Sequence, residues 1–315
     1  MTQMPSDSGT VVILGTGGTI AGTAANAASH VGYRAGTLSA NELLAAVPAL
    51  QGQALEAETV ARLDSCDMDH GTWALLARRL AWHLARPEVA GVVVTHGTDT
   101  LEETAYFLHR TVAAAKPVVL TAAMRPATAL SADGPQNLFD AVTLARRPGV
   151  RGVLVAFGGL VIGAADLRKV HGYRVGAFDA GDAGALAVLE DGVLRRFRDW
   201  PGDGGDCAAA LALPTDAWPR VEIVHSHAGC GGGMLEAAVA LGARGIVIAG
   251  TGNGSVHKEL LAAARRAAER GVVVWRASRC LLGGVVGGAA DALPSVGPLT
   301  PMQARVALML KLAVG

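Results

Sequence analysis

The sequence predicts an α/β protein with a larger N-terminal domain, built on a mainly parallel sheet flanked by helices, and a smaller C-terminal α/β domain. Two observations lead to this prediction: short aliphatic runs recur along the chain, and helical patterns separate them. Continuous apolar runs of this length are typical of strands buried on both faces. The predicted strands are residues 11–14, 92–95, 118–121, 153–156, 222–224, 246–249 and 272–275.

Helix signals lie between these strands. Ser39, followed three residues later by Glu42, forms a capping box before Leu43. Trp73, Leu76, Ala77, Leu80 and Leu84 form an apolar stripe at helical spacing. Thr300 followed by Pro301 marks the start of the last helix.

The pattern changes between residues 199 and 219, where glycine and proline interrupt the regular alternation. This punctuation predicts a linker at residues 206–220. We therefore expect an N-terminal domain at residues 1–205 and a C-terminal domain at residues 221–315.

Composition limits the classes of function. The 315 residues are 51% hydrophobic, and 27 basic residues balance 27 acidic ones. This balance gives no electrostatic reason to expect a nucleic acid or an anionic membrane as partner, so a small-molecule substrate is expected. Residues 1–8 lack the charged and apolar regions of a secretory signal, and no apolar stretch is long enough to span a membrane. A cytoplasmic location is therefore predicted.

The four cysteines are scattered and show no CxxC spacing, which predicts reduced thiols. His225, His227 and Cys230 resemble a set of metal ligands, but no fourth ligand is identifiable nearby. The sequence therefore predicts no metal site.

Two threonine-rich loops carry the chemistry. Residues 16–22 (TGGTIAG) and 95–100 (THGTDT) each follow a predicted strand, so both should lie at the carboxyl edge of the sheet. A threonine hydroxyl becomes a nucleophile when a base and an oriented partner activate it, and Asp99 lies directly beside Thr98. This pairing indicates acyl transfer. A dinucleotide-binding turn is the alternative, but Ile20 occupies the position of its third glycine. A tight turn without any function is a further alternative.

These loops, together with residues 95–105 (THGTDTLEETA) and 121–142 (TAAMRPATALSADGPQNLFDAV), resemble the signatures of the bacterial L-asparaginase/glutaminase family. The resemblance extends from about residue 11 to the C-terminus. It implies that a threonine attacks the side-chain amide of L-asparagine, and that water then releases L-aspartate from the acyl-enzyme. It also implies that no cofactor is needed, and that a homodimer or homotetramer shares its active sites between subunits.

The resemblance also implies roles for individual residues. Thr19 matches the nucleophile and Tyr33 its tyrosine partner, although Tyr33 could instead be an aromatic residue that anchors the loop. Thr98, Asp99 and Lys169 match a second catalytic group, in which a lysine ammonium exchanges protons. The neighbouring Arg168 could not release a proton in that role, and a surface lysine is the alternative interpretation of Lys169.

Substrate recognition requires groups for an α-carboxylate and an α-ammonium. The residues predicted to bind substrate are Ser65, Cys66, Thr98, Asp99, Ala123 and Asn253. Two positions depart from the family pattern. Cys66 replaces a glutamine, and the glutamate that a neighbouring subunit contributes has no clear counterpart, since the equivalent region offers Asp291. We therefore expect a preference for asparagine over glutamine.

Three alternatives to an L-asparaginase remain at the level of sequence. A glutaminase/asparaginase would keep the fold and accept the longer amide. An amidotransferase amidase subunit would act on a glutamine amide in a larger assembly. A non-catalytic amino-acid-binding protein would keep the pocket without turnover.

Overall fold

The computed structural model describes residues 9–28, 32–288 and 293–315. It divides the chain into two compact units. The first comprises Met1–Ala180 and Gly184–Asp206, and the second comprises Gly181–Ala183 and Cys207–Gly315.

The first unit is built on an eight-stranded sheet in the order β10-β9-β6-β5-β4-β3-β1-β2. The strands from β5 to β2 run parallel, and β6, β9 and β10 add an antiparallel edge. A separate antiparallel pair comprises β7 and β8. The strands are β1 (Thr10–Gly17), β2 (Leu55–Leu63), β3 (Val89–Thr95), β4 (Val118–Thr121), β5 (Val153–Phe157), β6 (Leu160–Gly163), β7 (Arg168–Lys169), β8 (Phe178–Asp179), β9 (Ala187–Glu190) and β10 (Val193–Arg196).

Among its described residues, the first unit has four α-helices: α1 (Ala40–Ala45), α2 (His70–Leu84), α3 (Leu101–Thr111) and α4 (Gly134–Ala145). Val11 and Ile13 of β1 share one buried cluster with apolar residues of α1 and α4. Val12 and Leu14 are also completely buried, and alternation along a strand directs them to the opposite face. Apolar residues on both faces explain why β1 appears in the sequence as a continuous hydrophobic run.

The second unit has a three-stranded parallel sheet in the order β11-β12-β13. Its elements are β11 (Val221–His225), α5 (Gly233–Ala240), β12 (Gly245–Gly250), α6 (Lys258–Glu269), β13 (Val273–Ser278) and α7 (Pro301–Val314). The central strand β12 is buried along its whole length. With its large parallel-rich sheet and smaller second unit, the structure confirms the predicted fold class.

The predicted helix starts are confirmed. Ser39 and Glu42 form a reciprocal capping box before α1, and Thr300 and Gln303 form another before α7. The carboxylate of Asp69 accepts a hydrogen bond from the Thr72 amide at 2.7 Å and so caps α2. Each cap satisfies an amide at the first turn that has no partner inside the helix.

Several strands were not predicted from the sequence. β2 alternates between exposed and partly buried residues and includes three glutamate or arginine side chains, so it lacks a continuous aliphatic run. β9 and β10 are short strands at the antiparallel edge. Edge strands with one face in solvent give a weaker hydrophobic signal than central parallel strands.

Part of the segment predicted as a linker has local structure. Ala208–Ala212 and Thr215–Ala217 form 3-10 helices, and Cys207, Ala210 and Trp218 are buried. Residues 207–220 group with the second unit. The division at residues 1–205, 206–220 and 221–315 stays a prediction.

Two further sequence expectations concern the whole chain. The four cysteines are free, as predicted: Cys66 and Cys280 are exposed, and Cys207 and Cys230 are buried. Within the described ranges, no helix combines the length and apolarity needed to cross a membrane.

Candidate active site

The candidate site lies where the strand order of the first sheet reverses. β1 pairs with β2 on one side and with β3 on the other, so the connection from β2 to β3 passes over β1. Loops that leave the carboxyl ends of strands at such a reversal diverge and create a crevice. The predicted site segments follow these strands: Thr19 follows β1, Ser65 follows β2, Thr98 follows β3 and Ala123 follows β4.

Close backbone contact brings the two threonine loops together. A Cβ atom added to Gly18 would lie 2.3 Å from the Cα atom of Gly97, and one added to Gly97 would lie 2.4 Å from the Ser65 hydroxyl. Only glycine allows three segments to approach so closely. Gly18 also has a φ of 76°, a conformation that favours glycine. The glycines of both motifs therefore hold the loops that carry Thr19 and Thr98 against each other.

Ser65 connects the loop after β2 to the loop after β3. Its buried hydroxyl accepts a hydrogen bond from the Asp99 amide at 3.1 Å, and the Thr100 hydroxyl donates to the Ser65 carbonyl at 2.7 Å. A hydroxyl that accepts one bond can still donate its own proton. Ser65 therefore positions the backbone of Asp99 and keeps a donor for an anionic group.

Thr19 lies in a buried 3-10 helix, and its hydroxyl is 2.5 Å from the Tyr33 hydroxyl. Burial raises the pKa of the Tyr33 phenol above its usual value, and the nearby Asp64 and Asp99 carboxylates add to this effect, whereas the Thr19 hydrogen bond lowers it. The phenol is therefore protonated at neutral pH. Its position on the Thr19 hydroxyl is the arrangement expected of a catalytic partner.

Lys169, in β7, contacts both members of the second threonine group. Its Nζ atom is 2.9 Å from the Thr98 hydroxyl and 2.6 Å from an Asp99 carboxylate oxygen. The Lys169 side chain is 19% exposed, so these contacts lie in a partly dehydrated environment. The neighbouring Arg168 is also buried. Contacts with two predicted site residues weaken the surface-lysine interpretation.

The remaining predicted binding residues have different surroundings. Ala123 is completely buried, and Gly134 lies between it and Ile20. Cys66 is exposed beside Ser65. Asn253 lies in the second unit, where its side-chain amide forms two 2.7 Å hydrogen bonds with the backbone of Val286. Asp291 lies outside the described residues.

One group in the described chain has donor atoms close enough to hold a metal ion: Asp64, Cys66 and Asp99, with atoms within 4.8 Å of one another. The Lys169 ammonium already contacts Asp99, and its positive charge opposes cation binding there. His225, His227 and Cys230 do not form such a group among the residues described. The Cys230 thiol instead contacts the His225 carbonyl at 3.5 Å.

Asp64, Asp133 and His96 were not identified as site residues from the sequence. The Asp133 carboxylate accepts hydrogen bonds from the amides of Met124 and Arg125, and so fixes the loop after β4. His96 is completely buried, and its Nδ1 donates to the Gly97 carbonyl at 2.7 Å. The only sign in the sequence that His96 belongs to the site was its position inside THGTD. That position could not show that the imidazole ring is buried and bonded to Gly97.

Because His96 is buried, we predict that the free energy of unfolding decreases in acid. Burial lowers its pKa from 6.5 to about 4, although the hydrogen bond to Gly97 opposes this effect. The unfolded chain therefore binds more protons between pH 6.5 and about 4. Above pH 6.5, the neutral His96 ring makes its full contribution to the free energy of unfolding. As the pH falls from 6.5 to about 4, the free energy of unfolding decreases by up to about 3 kcal/mol.

Chemical denaturation across this pH range would measure the effect. His96→Asn should reduce the pH dependence of the free energy of unfolding. His227→Asn is the matched control, because the exposed His227 forms the same type of bond to its neighbouring Ala228 carbonyl. An equal change in both variants would contradict the role of burial at His96.

Comparison with known proteins decides the family. Residues 10–201 match the model of the N-terminal asparaginase domain, and residues 220–315 match the model of the glutaminase/asparaginase C-terminal domain. The chain belongs to the asparaginase family.

Relatives of this asparaginase-family chain cover most of its length. It is 37% identical over 306 residues to "L-asparaginase 2" of Bacillus subtilis, covering 95% of this chain and 81% of that protein. It is 36% identical over 280 residues to "Glutaminase-asparaginase" of Pseudomonas fluorescens, covering 88% and 77%. The structure of a probable cytoplasmic L-asparaginase from Campylobacter jejuni superposes with a TM-score of 0.92 at 38% identity, covering 98% and 96%.

Proposed function

We propose that this amidohydrolase is an L-asparaginase, which hydrolyses L-asparagine to L-aspartate and ammonia through an acyl-enzyme on Thr19. One observation carries the proposal. The Thr19 hydroxyl is hydrogen-bonded to Tyr33, and the Thr98 hydroxyl is hydrogen-bonded to Lys169. Each threonine directly follows a glycine, and these two glycines contact each other at the carboxyl edge of the sheet. A nucleophile and a proton-exchanging group in one crevice are what amide hydrolysis requires.

In the first step, the Thr19 oxygen attacks the side-chain amide carbon of asparagine and forms an ester. The C–N bond breaks, and the departing nitrogen takes up the proton lost by Thr19, so ammonia leaves. Tyr33 orients the Thr19 hydroxyl through their hydrogen bond. Because its phenol is neutral, Tyr33 can accept the Thr19 proton while it donates its own.

In the second step, water attacks the ester carbon, and the ester bond to Thr19 breaks. L-Aspartate leaves, and Thr19 regains its proton. We assign activation of the water to Thr98, whose hydroxyl contacts the Lys169 ammonium. Asp99 balances the charge of that ammonium and holds it beside Thr98. Proton exchange is assigned to Lys169 and Thr98 together.

Substrate binding is assigned to the same loops. The Ser65 hydroxyl donates to the α-carboxylate, and Asp99 offers its second carboxylate oxygen to the α-ammonium, since the first contacts Lys169. Cys66, Thr98 and Ala123 complete the pocket, and Asn253 contributes to the site of a neighbouring subunit. A homodimer or homotetramer with shared sites, the absence of a cofactor and a cytoplasmic location are parts of the same proposal.

The direct test measures ammonia released by the purified protein from L-asparagine, L-glutamine and D-asparagine. We expect rapid release from L-asparagine without added metal or cofactor. No release from either L-amide would leave the amino-acid-binding alternative.

Glutaminase/asparaginase activity is the second candidate, because one relative of similar identity is named "Glutaminase-asparaginase". An amidotransferase amidase subunit has no such support among these relatives. The ratio of kcat/KM values for the two L-amides separates the first two candidates.

We predict that kcat/KM for L-asparagine exceeds that for L-glutamine by about 10- to 200-fold, the range that one methylene commonly provides. Cys66 supports this prediction, because a thiol is a weaker hydrogen-bond partner for the amino end of a longer substrate than a carboxamide. Cys66→Gln should raise the glutamine value selectively.

Cys280→Gln is a matched control, because Cys280 is also an exposed free thiol but lies in the second unit. Equal specificity constants for the two amides in the native protein would show that Cys66 does not control selectivity.

A further inference from the structure

The first unit contains a second cavity, of about 830 Å³, that the proposed reaction does not use. Its lining includes residues one or two positions before β1, β3, β4 and β5, namely Gly9, Glu88, Pro117 and Arg151. These four strands are parallel, so their amino ends share the sheet edge opposite to the candidate active site. The cavity is therefore separate from the threonine loops.

Positive charge dominates this cavity. Lys116, Arg146, Arg147 and Arg151 line it, together with the single carboxylate of Glu88. Glu88 forms an ion pair with Arg86 at 2.9 Å and so offers little compensation. Because the whole chain has a formal net charge of zero, this concentration of cations is a local feature.

Three of these cations have no carboxylate partner within the described residues: Lys116, Arg146 and Arg147. Each instead donates to a backbone carbonyl, at 2.5 Å for Lys116, 3.2 Å for Arg146 and 2.9 Å for Arg147. Carbonyls fix the positions of the side chains but do not neutralise their charge.

Arg146 provides an additional observation. Its Nε atom is buried and has no hydrogen-bond partner in the described part of the chain. Because solvent does not reach this Nε atom, Arg146 contributes to the cavity through its positive charge rather than through this N–H. Stabilisation of the C-terminal end of α4 explains a cation at positions 146 and 147. It does not explain Lys116, which lies on another segment, whereas Arg151 lies 3.9 Å from the Asp203 carboxylate.

We propose that this cavity binds a small organic polyphosphate, of the chemical class of a nucleoside triphosphate. Phosphate oxygens match the planar fork of arginine, and several adjacent negative charges match several cations without counter-ions. The volume lies within the range of small-molecule sites. Pro87, Pro117 and Pro148 provide apolar surface for the uncharged part of such a ligand. Asparagine, which has no net charge, does not fit this charge pattern.

Titration calorimetry with the full chain would test the proposal, using ATP, pyrophosphate and adenosine as probes. ATP and pyrophosphate should bind, adenosine should not, and added NaCl should raise the Kd of both anions. The double variant Arg146→Gln/Arg147→Gln should raise the Kd of ATP by about tenfold or more. The control Arg195→Gln/Arg196→Gln changes another adjacent arginine pair, on the exposed β10 strand, and should leave the Kd unchanged.

Lys116→Gln is a second variant that leaves α4 intact, and circular dichroism would verify that each variant is folded. Absence of ATP and pyrophosphate binding to the native chain would overturn the proposal. So would adenosine binding as tight as that of ATP, or an equal loss of affinity in the Arg195/Arg196 control. These measurements do not depend on asparagine hydrolysis, so their outcome is independent of the proposed function.

Discussion

Thr19→Ala is expected to lower the turnover of L-asparagine by roughly 10⁴-fold or more, because it removes the oxygen that forms the ester. The fold should persist. Thr19 is a small side chain in a 3-10 helix, and its loss removes one hydrogen bond, to Tyr33, which is worth about 1 kcal/mol. Steady-state ammonia release and thermal unfolding would measure the two effects separately.

Two further variants sharpen this test. Thr19→Ser keeps the hydroxyl and should retain much more activity than Thr19→Ala. Thr23→Ala is the matched control in the same segment, because the Thr23 hydroxyl contacts Thr37 at 3.1 Å rather than Tyr33. Mass spectrometry after rapid quenching should detect the acyl-enzyme in the native protein and not in Thr19→Ala. Nearly native turnover in Thr19→Ala would refute the assignment of the nucleophile.

Lys169→Met is expected to lower kcat by about 10²- to 10⁴-fold, the usual contribution of a positioned proton-exchanging group. Methionine keeps an aliphatic side chain of similar length but removes the ammonium that contacts Thr98 and Asp99. Stability should change little, because the Asp99 side chain is 55% exposed and remains hydrated.

Lys169→Arg distinguishes proton exchange from charge alone. Arginine keeps the positive charge but cannot release a proton at accessible pH, so this variant should remain impaired. Lys258→Met is the control, because Lys258 is exposed in α6 of the second unit. If Lys169→Met retained native activity, Lys169 would have no part in catalysis.

The central parallel strands could be predicted because both of their faces are buried. Val11 to Leu14 and Val92 to Val94 are completely inaccessible, so apolar residues occupy every position. β2 could not be predicted in this way, because its residues alternate between partial burial and exposure. As a result, the sequence placed Ser65 in a short motif but did not show that it follows a strand beside β1.

Local chemistry also determined the helix starts and the special glycines. The capping boxes at Ser39 and Thr300 depend on residues three positions apart, which makes them visible in the sequence. The glycines of TGGTIAG and THGTD were recognisable as turn residues, but their contact with each other joins segments almost eighty positions apart in the chain.

The sequence by itself determined the fold class, the two threonine loops and the family, because these depend on hydrophobic periodicity and on residues close together in the chain. Only the tertiary structure decided which side chains meet. It placed the Lys169 ammonium on Thr98 and Asp99, 70 or more positions away, and the Tyr33 hydroxyl on Thr19. It also gathered Lys116, Arg146, Arg147 and Arg151 around one cavity. The physical reason is that parallel strands bring distant segments to a common sheet edge, and the order of the strands, which no local pattern encodes, sets which segments become neighbours.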